Sequence, residues 1–132
     1  MTKHKILVVE DEESLLKLET ILFTSKGYEV DGVRDGSEAL AAIARNRPDV
    51  VVLDVMLPGK DGFEVCRAIK EDPATSSIPV LMLTAKKSSV DLERGRVAGA
   101  DAYLTKPFKS VRVLEVIEGL LKAEYAARGD RF

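Results

Sequence analysis

The sequence has no tryptophan, one cysteine and one histidine, and only 5% of its residues are aromatic. A lone thiol, Cys66, cannot close a disulfide within the chain, which excludes a disulfide framework and suits a reducing cytosol. His4 has no second histidine with which to build a histidine metal site, and it is assigned no catalytic role. Long apolar runs are missing as well. The first, Ile6 to Val9, is too short for a signal-peptide core or a membrane span. Charge of either sign is scarcely in excess: 20 Lys and Arg against 22 Asp and Glu leave −2, with no basic footprint to hold nucleic acid. These absences point to a cytoplasmic protein that neither enters a membrane nor binds nucleic acid directly. At 132 residues there is room for one domain, whose folding buries roughly two-thirds of the unfolded surface without needing a disulfide or structural metal.

What is present is alternation. Short apolar runs at Ile6-Leu7-Val8-Val9, Val50-Val51-Val52-Leu53 and Val80-Leu81-Met82-Leu83 are continuous enough for strands buried on both faces of a parallel sheet. Glu29 to Val33 and Ala102 to Leu104 carry polar or glycine interruptions and read as edge strands. Five strands with these three at the centre fit an α/β doubly wound (βα)5 domain whose parallel sheet has the order 2-1-3-4-5. Between the strands, Leu15, Leu16, Leu18, Ile21 and Leu22 form the expected apolar face of a first helix that stops at Gly27. Asp61 with Glu64, and Ser88 with Asp91, are capping pairs that open the third and fourth helices. Val111, Leu114, Ile117 and Leu121 form the expected core stripe of the last helix. The domain is expected over residues 1–122, with 123–132 as helix end and tail.

Ligands of open α/β sheets bind outside the carboxyl ends of the strands, where strand order reverses. The first run ends in Glu10-Asp11-Glu12, the third in Asp54, the fourth in Thr84 and the fifth in Thr105-Lys106-Pro107. Acids gathered in one crevice repel unless a cation, a shared proton or an ammonium relieves them. Mg²⁺, which takes one or two carboxylates and keeps several waters, suits so small an oxygen set. Asp54 then becomes a candidate nucleophile, because a carboxylate can attack phosphorus and hold the phosphoryl group as an acyl phosphate. Lys106 can pair with a phosphoryl oxygen and the Thr84 hydroxyl can donate to another.

These motifs, Ile6-Leu7-Val8-Val9-Glu10-Asp11-Glu12, Val52 to Gly62 around Asp54, Leu83-Thr84-Ala85, and Gly99 to Phe108 around Lys106-Pro107, occur in order along residues 4 to 122. Together they resemble the receiver domain of two-component response regulators, the chemotaxis-regulator type of flavodoxin-like fold. The resemblance implies that Asp54 accepts a phosphoryl group from a sensor histidine kinase or a phosphotransfer protein. It implies Mg²⁺ held by Asp11, Asp54 and the backbone carbonyl of Met56, with Glu10 in a place where many members have Asp. Thr84 and Tyr103 match the switch pair, in which the hydroxyl closes on the phosphoryl group and the ring turns inward. That switch would change the face made by the fourth helix, fifth strand and fifth helix, and so control a downstream protein or output domain or a phosphorylation-dependent homodimer. Lys106-Pro107 resembles the family's cis-proline bond. Met56 and Lys86 fall two residues beyond Asp54 and Thr84, where the family tunes the lifetime of the phosphoryl group. Ala102 stands where members with winged-helix DNA-binding outputs usually carry a second Asp, which points away from that subgroup.

Blander roles suit several residues. Pro58-Gly59-Lys60-Asp61-Gly62 lacks the spacing of a P-loop and reads as a turn with a helix cap. Cys66, near Phe63, Val65 and Ile69, reads as a core residue. Lys86, Lys87, Arg94 and Arg96 form a modest basic patch on or beside the fourth helix. The rival reading is a Mg²⁺-dependent phosphohydrolase with an aspartyl-phosphate intermediate. It wants a second acid two residues after the nucleophile, where this chain has Met56. A flavin carrier of the same fold would need a phosphate-binding loop after the first strand and stacking aromatics, and neither is present. The function expected is therefore a signalling switch rather than an enzyme.

Overall fold

Strands that are apolar on both sides need cover on both faces. The computed structural model, which describes residues 3–123, supplies it with helices on each side of one parallel sheet. In chain order the elements are β1 (Lys5–Val9), α1 (Glu13–Ser25), β2 (Glu29–Val33), α2 (Gly36–Arg45), β3 (Val50–Leu53), α3 (Gly62–Glu71), β4 (Val80–Thr84), α4 (Ser89–Val97), β5 (Ala102–Thr105) and α5 (Ser110–Ala123). The sheet order is β2-β1-β3-β4-β5, with every pairing parallel, as the strand pattern predicts. Strand registers of Val9 with Leu53 and of Leu53 with Met82 bring the carboxyl ends of the central strands to one edge.

Alternation along the strands divides the core in two. Leu7, Val9, Val51, Leu53 and Met82 face Ala39, Ile43, Val65 and Ile69 on the side of α2 and α3. Ile6, Val8, Val52, Leu81 and Leu83 face Phe23, Val113, Ile117 and Leu120 on the side of α1 and α5. Cys66 is fully buried in the first of these, its Sγ 3.5 Å from the Ala98 carbonyl oxygen, and burial pushes the thiol up to about 12. That is the core role expected of it. His4 is exposed. Among the described residues no helix is long and apolar enough to cross a membrane.

Local punctuation follows the residue types. Gly27, just beyond α1, takes φ +92°, a conformation costly for any residue with a Cβ. Asp61 and Glu64 form a reciprocal capping box at the start of α3, and Ser88 and Asp91 form one at the start of α4.

Two helix faces differ from the sequence expectation. On α1, Leu18 and Ile21 are more than half exposed, and the fully buried residues are Glu19 and Phe23. The buried and half-buried stripe is Leu15, Leu16, Glu19, Leu22 and Phe23, a regular i, i+1, i+4, i+7, i+8 pattern with an acid in its middle. Counting apolar residue types put Leu18 and Ile21 on a face that the helical period turns to solvent. On α5, Val111 in the first turn is exposed, and Val113, Ile117, Leu120 and Leu121 form the buried stripe with Leu114 half-buried. The helix end and tail placed at 123–132 lie outside the described residues except for Ala123, which closes α5.

Candidate functional site

Parallel strands deliver their following residues to one edge, and there the side chains of β1, β3 and β5 meet. The Lys106 ammonium, just past β5, donates to Glu10 Oε1 at 2.7 Å and to Asp54 Oδ2 at 2.7 Å. All three side chains are largely buried, with the two carboxylates less than one-tenth exposed. Burial raises the Glu10 carboxyl above its ordinary value, against the hydrogen bonds of Lys106 and the Glu12 amide that favour its charge. For Lys106 burial opposes the charge, but the hydrogen bonds to Asp54 and Glu10 prevail and raise it. Two acids and one ammonium thus form a charge-assisted bridge across three strand ends. The Lys106-Pro107 bond is cis, as the resemblance implies.

Backbone groups fix the carboxylates further. Glu12 N–H donates to Glu10 Oε2 at 3.1 Å, and Met56 N–H donates to Asp54 Oδ1 at 3.1 Å. The loop after Asp54 is tied down by Gly62 N–H to the Val55 carbonyl at 2.9 Å and by Gly36 N–H to the Pro58 carbonyl at 3.0 Å. The Pro58–Gly62 segment is the turn and helix cap read from the sequence.

Asp11 is exposed at the mouth of the crevice. It lines one open depression together with Met56, Asp61, Phe63, Lys86 and Arg94. Arg34 Nε donates to its backbone carbonyl at 3.1 Å. Among the described residues no three acidic, histidine or cysteine side chains gather closely enough to hold a metal ion by themselves. Mg²⁺ does not require such a cage, because it takes one or two carboxylates and keeps several waters. The donors around the depression are oxygen atoms, and Asp11 has no hydrogen bond or ion pair to its carboxylate among the described residues, so the set fits that ion.

Thr84 is fully buried at the end of β4, and its Oγ1 accepts from Lys86 N–H at 3.3 Å. Tyr103 is turned inward at 6% exposure, its hydroxyl donating to the Lys86 carbonyl at 2.7 Å and pushed up to about 12 by burial. Of the predicted residues, direct bonds therefore join Glu10, Asp54 and Lys106 in one group and Thr84, Lys86 and Tyr103 in another. Met56 keeps its side chain in solvent beside them.

Two placements differ from what the sequence alone predicts. Arg94 does not merely belong to a basic patch: its guanidinium lies 4.2 Å from the centre of the Phe63 ring, while Arg96 pairs with Glu93. Glu19 sits in the core behind Glu10, and the i, i+4 step from Leu15 through Glu19 to Phe23 was the available signal for it.

The family profile described as the response regulator receiver domain matches residues 6–118. The chain is 42% identical over 120 residues to the DNA-binding response regulator MtrA of Mycolicibacterium smegmatis, covering 91% of this chain and 51% of that protein. It is 43% identical over 118 residues to the response regulator PleD of Caulobacter vibrioides, covering 89% of this chain and 26% of that protein. The chain thus spans about half the length of MtrA and about a quarter of PleD. Its fold superposes on the chemotaxis protein CheY4 of Vibrio cholerae with a TM-score of 0.85 at 33% identity, covering 90% of this chain and 99% of that one. Ala102 therefore does not separate the chain from a DNA-binding regulator in overall similarity.

Proposed function

Because the chain belongs to the response regulator receiver domain family, whose members are phosphorylated on aspartate in two-component signalling and act as switches, we propose that Asp54 is its phosphoacceptor. The observation that carries the assignment is the Lys106 bridge, an ammonium already seated on the Asp54 carboxylate at the strand edge. An Asp54 oxygen attacks phosphorus, the bond from phosphorus to the donor's histidine nitrogen breaks, and the phosphoryl group rests on Asp54 as an acyl phosphate. Lys106 pairs with one phosphoryl oxygen and the Thr84 hydroxyl donates to another.

The family is generally Mg²⁺-dependent, and Asp11, Asp54 and the Met56 backbone carbonyl would hold the ion, with Glu10 completing the acidic set. When bound, Mg²⁺ neutralises charge on the transferring group. Met56 and Lys86, both at the mouth of the site, set how fast the chain loses the group to water. The phosphoryl group adds about −1.5 to −2 of charge, and Thr84 and Tyr103 pass that change to the face of α4, β5 and α5. The partners are a sensor histidine kinase or phosphotransfer protein upstream and a protein, output domain or second copy downstream. Residues 1–122 form the receiver unit, working in the cytoplasm.

Intact mass after incubation with acetyl phosphate and Mg²⁺ tests the reading. One added phosphoryl group that disappears in Asp54→Asn and in metal-free protein supports it. Addition that persists in Asp54→Asn, or none in folded, Mg²⁺-loaded protein, overturns it.

A further inference from the structure

The mouth of the crevice carries two cations that nothing in the fold neutralises. Arg94 and Lys86 line the open depression that also holds Asp11 and Asp61. Neither the Arg94 guanidinium nor the Lys86 ammonium has a hydrogen bond or ion pair among the described residues. Their charges reach Asp91, but its carboxylate takes the Ser88 hydroxyl at 2.7 Å in the capping box of α4. Of the two acids in the depression, Asp61 caps α3 through its Oδ1, and Asp11 belongs to the oxygen set that fits Mg²⁺. Arg96, two residues along the same helix, is by contrast paired with Glu93 at 2.6 Å. What fixes Arg94 is a ring: its guanidinium lies 4.2 Å from the centre of Phe63, which is 4% exposed. That contact holds the planar cation without using its N–H donors, which stay available to a two-oxygen anion such as a carboxylate. The depression, about 540 Å³, has room for a small organic anion. Phosphoryl transfer runs in line, so the leaving group departs on the side of phosphorus away from the attacking Asp54 oxygen. Asp54, Thr84 and Lys106 are all largely buried, which leaves the open side, where Arg94 lies, to the leaving group.

We propose that Arg94 is a specificity-determining residue for the phosphodonor, its guanidinium receiving the carboxylate leaving group of a small acyl phosphate. The inference rests on the assignment of Asp54 made above. With acetyl phosphate, an Asp54 oxygen attacks phosphorus, the bond from phosphorus to the acetyl oxygen breaks, and acetate departs with the electron pair toward Arg94. With phosphoramidate, the phosphorus–nitrogen bond breaks and the already protonated nitrogen leaves as neutral ammonia, which gives a guanidinium no anion to hold.

The test is the initial rate of Asp54 labelling, read by intact mass in saturating Mg²⁺, with acetyl phosphate and with phosphoramidate, for wild type, Arg94→Gln and Arg96→Gln. Both substitutions remove one positive charge from an exposed position on α4, so their folds and net charges match. Arg94→Gln should slow labelling by acetyl phosphate about tenfold and keep that by phosphoramidate within about twofold of wild type. Arg96→Gln should keep both rates within about twofold, because its charge is already paired with Glu93. An unchanged acetyl phosphate rate in Arg94→Gln overturns the inference, and so does an equal fall with both donors, which marks a general disturbance of the site. An equal loss in Arg96→Gln also overturns it, since net charge alone would then account for the effect. Labelling of wild type by phosphoramidate but not by acetyl phosphate overturns it as well, and all four outcomes leave the Asp54 assignment standing. If wild type takes acetyl phosphate alone, the contrast between the two variants decides in the same way. Labelling of folded wild type by neither donor overturns the Asp54 assignment and this inference together.

Discussion

Thr84 and Tyr103 hold the same residue from its two ends: Lys86 N–H donates to the Thr84 hydroxyl oxygen at 3.3 Å, and the Lys86 carbonyl accepts from the Tyr103 hydroxyl at 2.7 Å. Thr84 and Tyr103 are therefore connected through the backbone of one residue of the loop that enters α4. A Thr84 hydroxyl that turns toward a phosphoryl group gives up its place on Lys86, and the Tyr103 bond is left as that loop's tie to β5. Tyr103→Phe removes this tie and should lower stability by about 1 kcal/mol, read as a shift in the urea midpoint. Acetyl phosphate labelling of Asp54 should remain, while amide shifts in α4 on phosphorylation should change in extent. Unaltered α4 shifts would show that the hydroxyl has no part in the transmission.

Lys106 is the only cation bonded to Glu10 and Asp54 among the described residues. Lys106→Met leaves two neighbouring, mostly buried carboxylates uncompensated and should cost about 3 kcal/mol in metal-free protein. Saturating Mg²⁺ should restore part of that loss, because an ion bound only to the folded state stabilises it by mass action. Thermal unfolding with and without Mg²⁺ measures both effects. A variant as stable as wild type without the ion would contradict the bridge.

A second buried ion pair has a purely structural part to play. Lys70 Nζ donates to Asp101 Oδ2 at 2.8 Å and to the carbonyls of Ser76 and Ile78, and Asp101 also accepts from Val80 N–H at 2.8 Å. Lys70→Met should destabilise by about 3 kcal/mol. Asp101→Asn keeps an acceptor for Val80 and should cost less than Asp101→Ala in the same denaturant titration. None of these changes should affect the rate at which Asp54 is labelled.

Glu19 also imposes a pH dependence on stability. Its folded value of about 8 lies above the ordinary 4.5, so between those limits the folded chain keeps a proton that the unfolded chain has released. Stability therefore falls as pH rises across that window and levels off above it, by an amount on the order of a few kcal/mol. Glu10, Asp54 and Lys106 face the same group and remain in the variant. Urea midpoints of wild type and Glu19→Gln across this window should show the slope in the first and a flatter profile in the second. Parallel profiles would place the proton elsewhere.

Much of this architecture was legible from residue order. Continuous Val, Ile and Leu runs made β1, β3 and β4 central, and the residues after their last apolar positions marked Glu10, Asp54 and Thr84 as crevice groups. Gly27 and both capping boxes followed from local chemistry that tertiary contacts do not override. The burial of Glu19 did not follow, because an acid reads as solvent-facing unless the helical phase is traced residue by residue. Leu18 and Ile21 erred in the opposite direction for the same reason. The Phe63 to Arg94 contact was beyond a one-dimensional reading, since it depends on how closely α3 and α4 approach.

On its sheet side α4 packs through Gly95, its buried residue. A Cβ there would stand 2.8 Å from the Tyr103 ring and 3.3 Å from Met82 Sδ. The glycine hydrogen is what lets the helix and the ring pack this closely, so the position of the Tyr103 ring and that of α4 constrain each other. Any side chain at position 95 would act as a wedge between α4 and that ring, forcing one of them to move.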